Sequence, residues 1–81
     1  VLDYDYYFRV TADLWAGRLA EVLLTLDEIL LRGFDAHHFI TGLSEHFRNL
    51  LISKDPATVR LLEVPESARL RYAEQARAVQ A

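Results

Sequence analysis

Apolar residues recur at three- and four-residue spacing through most of the chain, the period of an α-helix with one buried face. The organising stretch runs from Arg32 to Pro56. There Ala36, Phe39, Ile40, Leu43, Phe47, Leu50 and Leu51 fall on one face, with His37, Thr41, Glu45 and Arg48 opposite. Gly33 follows a periodic apolar run and can take the left-handed conformation that ends a helix. Asp35 can then accept a hydrogen bond from the free amides of the next first turn. Asp55-Pro56 restarts the chain, because Asp caps and Pro fits the first helical position, where no amide is needed.

The same period predicts further helices on both sides. The first covers about Asp3 to Ala16, with Tyr4, Tyr7, Phe8, Thr11, Leu14 and Trp15 on one face and Tyr6 and Val10 off it. Asp3 or Asp5 suits its positive N-terminal end. After the break at Gly17, the second covers about Arg18 to Arg32. Leu19, Val22, Leu23, Leu26, Ile29 and Leu30 form a broad core stripe, and Ala20, Leu24 and Leu31 form a second stripe roughly 120° around the helix. Asp27, Glu28 and Arg32 hold the remaining polar arc, Glu28 and Arg32 in the favourable order for a four-residue ion pair.

A short helix from about Pro56 to Leu62 buries Val59 with Leu61 or Leu62, and Val64-Pro65 ends it. The last helix starts near Pro65 or Glu66, with a thin stripe of Ala68, Tyr72, Ala76 and Val79, and Leu70 and Ala73 beside it. A helix this weakly apolar is marginal alone and needs a packing partner. Short turns at Gly17 and at Gly33-Phe34 make sequential helices antiparallel neighbours. The expectation is all-α: a bundle of about five short-to-medium antiparallel helices forming one domain over residues 1–81.

Composition narrows the function classes. At 81 residues the chain is short, and 52% of it is hydrophobic, with 11% aromatic. A chain of this size buries only ~60–65% of its unfolded surface, so such a composition is satisfied either by a well-filled small core or by a partner that covers the excess. Net charge is −3, and the arginines are scattered singly from Arg9 to Arg77. Nucleic-acid binders gather a basic excess on one face, so direct DNA or RNA binding is not expected. There is no cysteine, which removes disulfides and thiolate zinc sites and agrees with a cytoplasmic location. No apolar run approaches the ~20 residues of a membrane span. The first residue is Val rather than Met, which reads as a fragment of a longer polypeptide.

No reaction centre is expected. His38 and His46 are eight residues apart, two helical turns, whereas helical zinc ligands sit one turn apart with further N, O or S donors. His37 and His38 read as solvent-facing and His46 as the edge of the buried face. The Asp27-Glu28 pair sits on a polar arc with no cleft implied, and acid–base catalysis needs a perturbed carboxylate. With three glycines and no phosphate-loop motif, a backbone cradle for phosphate is hard to build. The best lead is the second stripe. If the second helix is central, Ala20, Leu24 and Leu31 are core. If it is outer, they are exposed leucines, and Tyr6 and Val10 extend the same candidate interface.

One resemblance adds to this. The run L-x-x-L-D-E-I-L-x-x-G-F-D from Leu23 to Asp35, then H-F-I-x-G-L-x-x-H-F-R-N-L-L from His38 to Leu51 and K-D-P-A-T from Lys54, resembles the bacterial DNA polymerase III gamma/tau family, the ATPase subunits of the sliding-clamp loader. The likeness falls on the third, helical domain of that family and covers Tyr4 to about Glu74, most specifically Leu26 to Ala57. It implies a collar domain that holds clamp-loader subunits in a ring during DNA replication and carries no catalytic residue. The partners implied are other clamp-loader subunits, in homo- or hetero-oligomers. No cofactor is implied for this segment. ATP, Mg and a structural Zn belong to the preceding domains of such a parent. The family domain is longer, with further helix after the region matching Tyr72. Two other classes remain beside it: a helical module that binds nucleic acid, and a groove that takes a peptide of another replication protein.

Overall fold

The computed structural model describes residues 4–79. They are all-helical, with four α-helices: α1 Tyr4–Ala16, α2 Leu19–Leu31, α3 Ala36–Lys54 and α4 Glu66–Ala78, and a 3₁₀ turn at Val59–Leu61 between the last two. No strand occurs among the described residues. The Asp3 start and the Val1 terminus lie outside them. The chain divides into two units, Val1–Ser44 and Glu45–Ala81, and α3 runs through the boundary.

In the first unit, α1 packs on α2 across the two-residue connection Gly17-Arg18. Both inter-helix stops obey one rule. Gly17 sits at φ 77° and Gly33 at φ 84°, the left-handed region open to glycine. After Gly33, its amide donates to the Leu30 carbonyl and the Phe34 amide donates to the Ile29 carbonyl. After α1, Gly17 and Arg18 repeat the pattern onto Leu14 and Asp13. Each pair is a Schellman stop, which satisfies carbonyls that the helix end leaves free. Arg18 also donates from Nε to the Asp13 carboxylate at 2.9 Å, so this largely buried carboxylate keeps a cation. The start of α3 is the expected one: Asp35 Oδ1 accepts from the His37 amide at 3.0 Å.

One core cluster of this unit is Val10, Val22, Ile29 and Phe39, with Tyr6, Tyr7, Leu26, Phe34 and Leu43 packed against it. The buried arc of α2 is Val22, Thr25 and Ile29. Leu19, Leu23 and Leu30, expected in the core, are exposed. On α1 the buried set is Phe8, Val10, Thr11 and Asp13, while Trp15 is exposed. On α3, Ile40, Phe47 and Leu51 face outward where a buried face was expected. The Tyr7 ring stacks on Phe39 at 5.2 Å between centroids. It also lies over Gly42, where an added Cβ would run into the Tyr7 hydroxyl and stand 2.6 Å from the ring carbon that bears it. A glycine in mid-helix costs propensity, and here it leaves room for a ring.

In the second unit Ala68, Tyr72 and Ala76 of α4 and Val79 just past its end are buried, the stripe that the spacing predicts. Tyr72 accepts from Asn49 Nδ2 at 3.3 Å, and its ring lies 5.1 Å from that of His46. Lys54 Nζ donates to the Val79 carbonyl. The expected fourth of five helices is instead a turn. Asp55 caps as anticipated, Oδ1 accepting from the Ala57 amide at 2.8 Å. Only the 3₁₀ turn follows, because Leu62 turns extended (φ −72°, ψ 115°) and buries its side chain. Seven residues between a cap and a proline-restricted stop offer too few bonds to offset helix nucleation.

His46 is inside the second unit at 1% exposure rather than at its edge. Its Nε2 donates to Gln75 Oε1 at 2.7 Å. Burial lowers its pKa below 6.5, with Arg71 adding to the effect and the Gln75 bond opposing it. The unfolded chain therefore takes up this proton at higher pH than the fold does. Stability is whole above about pH 6.5 and falls as pH drops below it. Thermal melts of the native chain should shift down between pH 7.5 and 5.5, and His46→Gln should flatten that slope. In a separate urea titration, Gly42→Ala should lose ~1–3 kcal/mol, because overpacking against Tyr7 outweighs the ~1 kcal/mol helix gain of alanine.

Candidate functional site

The sequence places five leucines on α2 outside its buried arc, at positions 19, 23, 24, 30 and 31. A helix advances about 100° per residue, so Leu19, Leu23 and Leu30 cluster on one line and Leu24 and Leu31 on another about 100° away. Ala20 and Asp27 lie between these lines and are also exposed. Leu24 is 63% exposed and Leu31 80%. Soluble monomers rarely leave a contiguous apolar patch beyond ~300–600 Å². This face of α2 holds five of the large apolar side chains that the first unit exposes, which makes it the candidate interaction surface.

The expected interface residues divide. Ala20, Leu24 and Leu31 share the exposed face. Val10 does not join them. It is 1% exposed and sits in the core with Val22, Ile29 and Phe39, so the place given to it on the patch is corrected to a core role. Tyr6 is half-buried and belongs to a polar clasp between α1 and α2. Its hydroxyl donates to Glu28 Oε2 at 2.7 Å, which holds the phenol above its usual 10. Arg9 lies over the Tyr6 ring at 5.4 Å and reaches Glu28 at 3.8 Å, and Arg32 reaches it at 3.9 Å. The expected Glu28–Arg32 pair is present, with a second arginine sharing the carboxylate.

Beside Leu24 lies an open recess of about 260 Å³, lined also by Arg9, Asp13, Glu21, Thr25 and Glu28. Asp13 is held by Arg18, and Glu28 by Tyr6 and two arginines. Such committed carboxylates favour ion pairing over proton transfer. No cluster of His, Asp or Glu suited to a metal occurs among the described residues. No helix of the described chain is long and apolar enough to cross a membrane.

Leu19, Leu23 and Leu30 were missed as surface because leucine weighs the same wherever it falls on a helical wheel. The signal that separates the arcs is branching: Val22, Thr25 and Ile29 are the β-branched residues of α2 and they mark its buried side. No protein-family model, curated protein or solved structure matches the chain.

Core and surface leave opposite signatures in stability. Ile29→Ala should cost ~2–5 kcal/mol in urea unfolding, while Leu24→Gln or Leu31→Gln should stay within ~0.5 kcal/mol of the parent chain. Equal losses would place the leucines in a core instead.

Proposed function

We propose that this chain is an oligomerisation module, a collar-type domain of the DNA polymerase III gamma/tau kind that holds clamp-loader subunits in a ring during DNA replication. The observation that carries it is the leucine face of α2, apolar and open at Ala20, Leu24 and Leu31. The order of motifs from Leu23 to Thr58, which resembles that family, supports the reading. Burying helix faces between protomers is the mechanism. The apolar face supplies the association energy, and rigid helices fix the angle between neighbours. ATP hydrolysis belongs, on this reading, to other domains of the parent, whose tilts change around a fixed collar. The segment itself does no chemistry and acts in the cytoplasm.

Multi-angle light scattering tests the reading directly. The chain should show a mass that rises above the monomer with concentration, and Leu24→Glu with Leu31→Glu should return it to the monomer mass while helicity is retained. A chain that stays monomeric at every concentration, or an assembly indifferent to both glutamates, would reject it.

A further inference from the structure

Charge is divided unevenly between the two units. The first carries seven acidic and three basic side chains, and the second five acidic and six basic. The exposed apolar rows carry the same bias. On α2 Glu28 is held by Arg9 and Arg32, which leaves Glu21 and Asp27 as its acids without an arginine, and Asp27 sits between the two leucine lines. The C-terminal half of α3 exposes Phe47 and Leu51, the latter 67% open, one turn apart on one row. Arg48 and Lys54 flank that row. Next to it is a recess of about 210 Å³ lined by Arg48, Asn49, Ile52, Leu61, Glu45 and Glu63. Asp27 and Arg48 are both exposed, and neither makes a hydrogen bond or ion pair among the described residues.

Building on the oligomerisation reading, we propose that the α2 face of one copy docks on the Phe47–Leu51 row of a second copy, with Asp27 facing Arg48 across the contact. Pairing α2 with α2 would confront acid with acid, and pairing the α3 rows would confront base with base. Like charges set opposite each other suppress a partner, and opposite charges admit it. Two different faces on one chain make a heterologous contact, the kind that propagates and, where its rotation closes, forms a ring. Leu24 and Leu31 supply the apolar area, and the Asp27–Arg48 pair supplies register and direction.

Sedimentation velocity on the 81-residue chain and a charge-swap series test this. Asp27→Arg and Arg48→Asp should each weaken association about tenfold, and the two together in one chain should recover most of it. Circular dichroism should show all three folded, since neither side chain has a partner to lose. An equimolar mixture of the two single variants should recover assembly by alternating the two chains, because both cross-variant contacts are then matched while each variant's contact with its own kind sets like charges opposite. If the native chain assembles and Leu24→Glu with Leu31→Glu abolishes it, but the double swap recovers nothing, this pairing is wrong and the oligomerisation reading survives. A native chain that is monomeric throughout overturns both.

Discussion

Ile29, Val22 and Thr25 of α2 close against Val10 and the other buried side chains of the first unit, and this contact determines what the outside of the unit must be. A helix of thirteen residues has one buried arc. Once the β-branched arc takes it, the remaining positions face away whatever their chemistry. Five of those positions are leucines. Val22 and Ile29 on that arc are β-branched and hold one strongly preferred χ1 rotamer in a helix, which fixes the shape they present to the core. The exposed face is thus a consequence of which apolar residues won the core.

The helices themselves were readable in the sequence because their ends are written in specific chemistry. Gly17, Gly33, Asp35 and Pro65 each stop or start an element at the expected place, because each answers a backbone hydrogen-bonding or dihedral requirement that no tertiary contact needs to supply. The thin stripe of α4 was readable too, because alanines there leave Tyr72 as the single large side chain to bury. Facing was less readable. Periodicity places Leu23 and Val22 on one broad stripe and cannot say which edge of it meets the neighbour. The helix expected after Pro56 failed for a different reason: a good cap starts a helix only where enough residues follow to lengthen it.

Gly42 shows how a packing requirement can hide in plain composition. Its position inside α3 breaks a propensity rule, and the reason lies thirty-five residues away in the Tyr7 ring that occupies its missing side chain. His46 is the converse case in the second unit. A polar side chain on a helix face reads as an edge residue, yet with Gln75 to take its proton donor and Tyr72 beside its ring it becomes interior. Both cases depend on partners distant in sequence, which spacing rules do not see.

Hydrophobic area alone says only that a surface is unfinished. It has no direction, and two apolar faces attract in any register. Direction has to come from groups whose interactions change sign with the neighbour. On this chain those groups are few and separated: acid on the open face of α2, base beside Phe47 and Leu51. A ring needs each subunit to present two unlike faces and to reject its own like face. In the proposed pairing, the acidic leucine surface and the basic aromatic–aliphatic row of one short chain would meet both conditions. A symmetric patch of equal area would satisfy only the need for cover, and would stop at a pair.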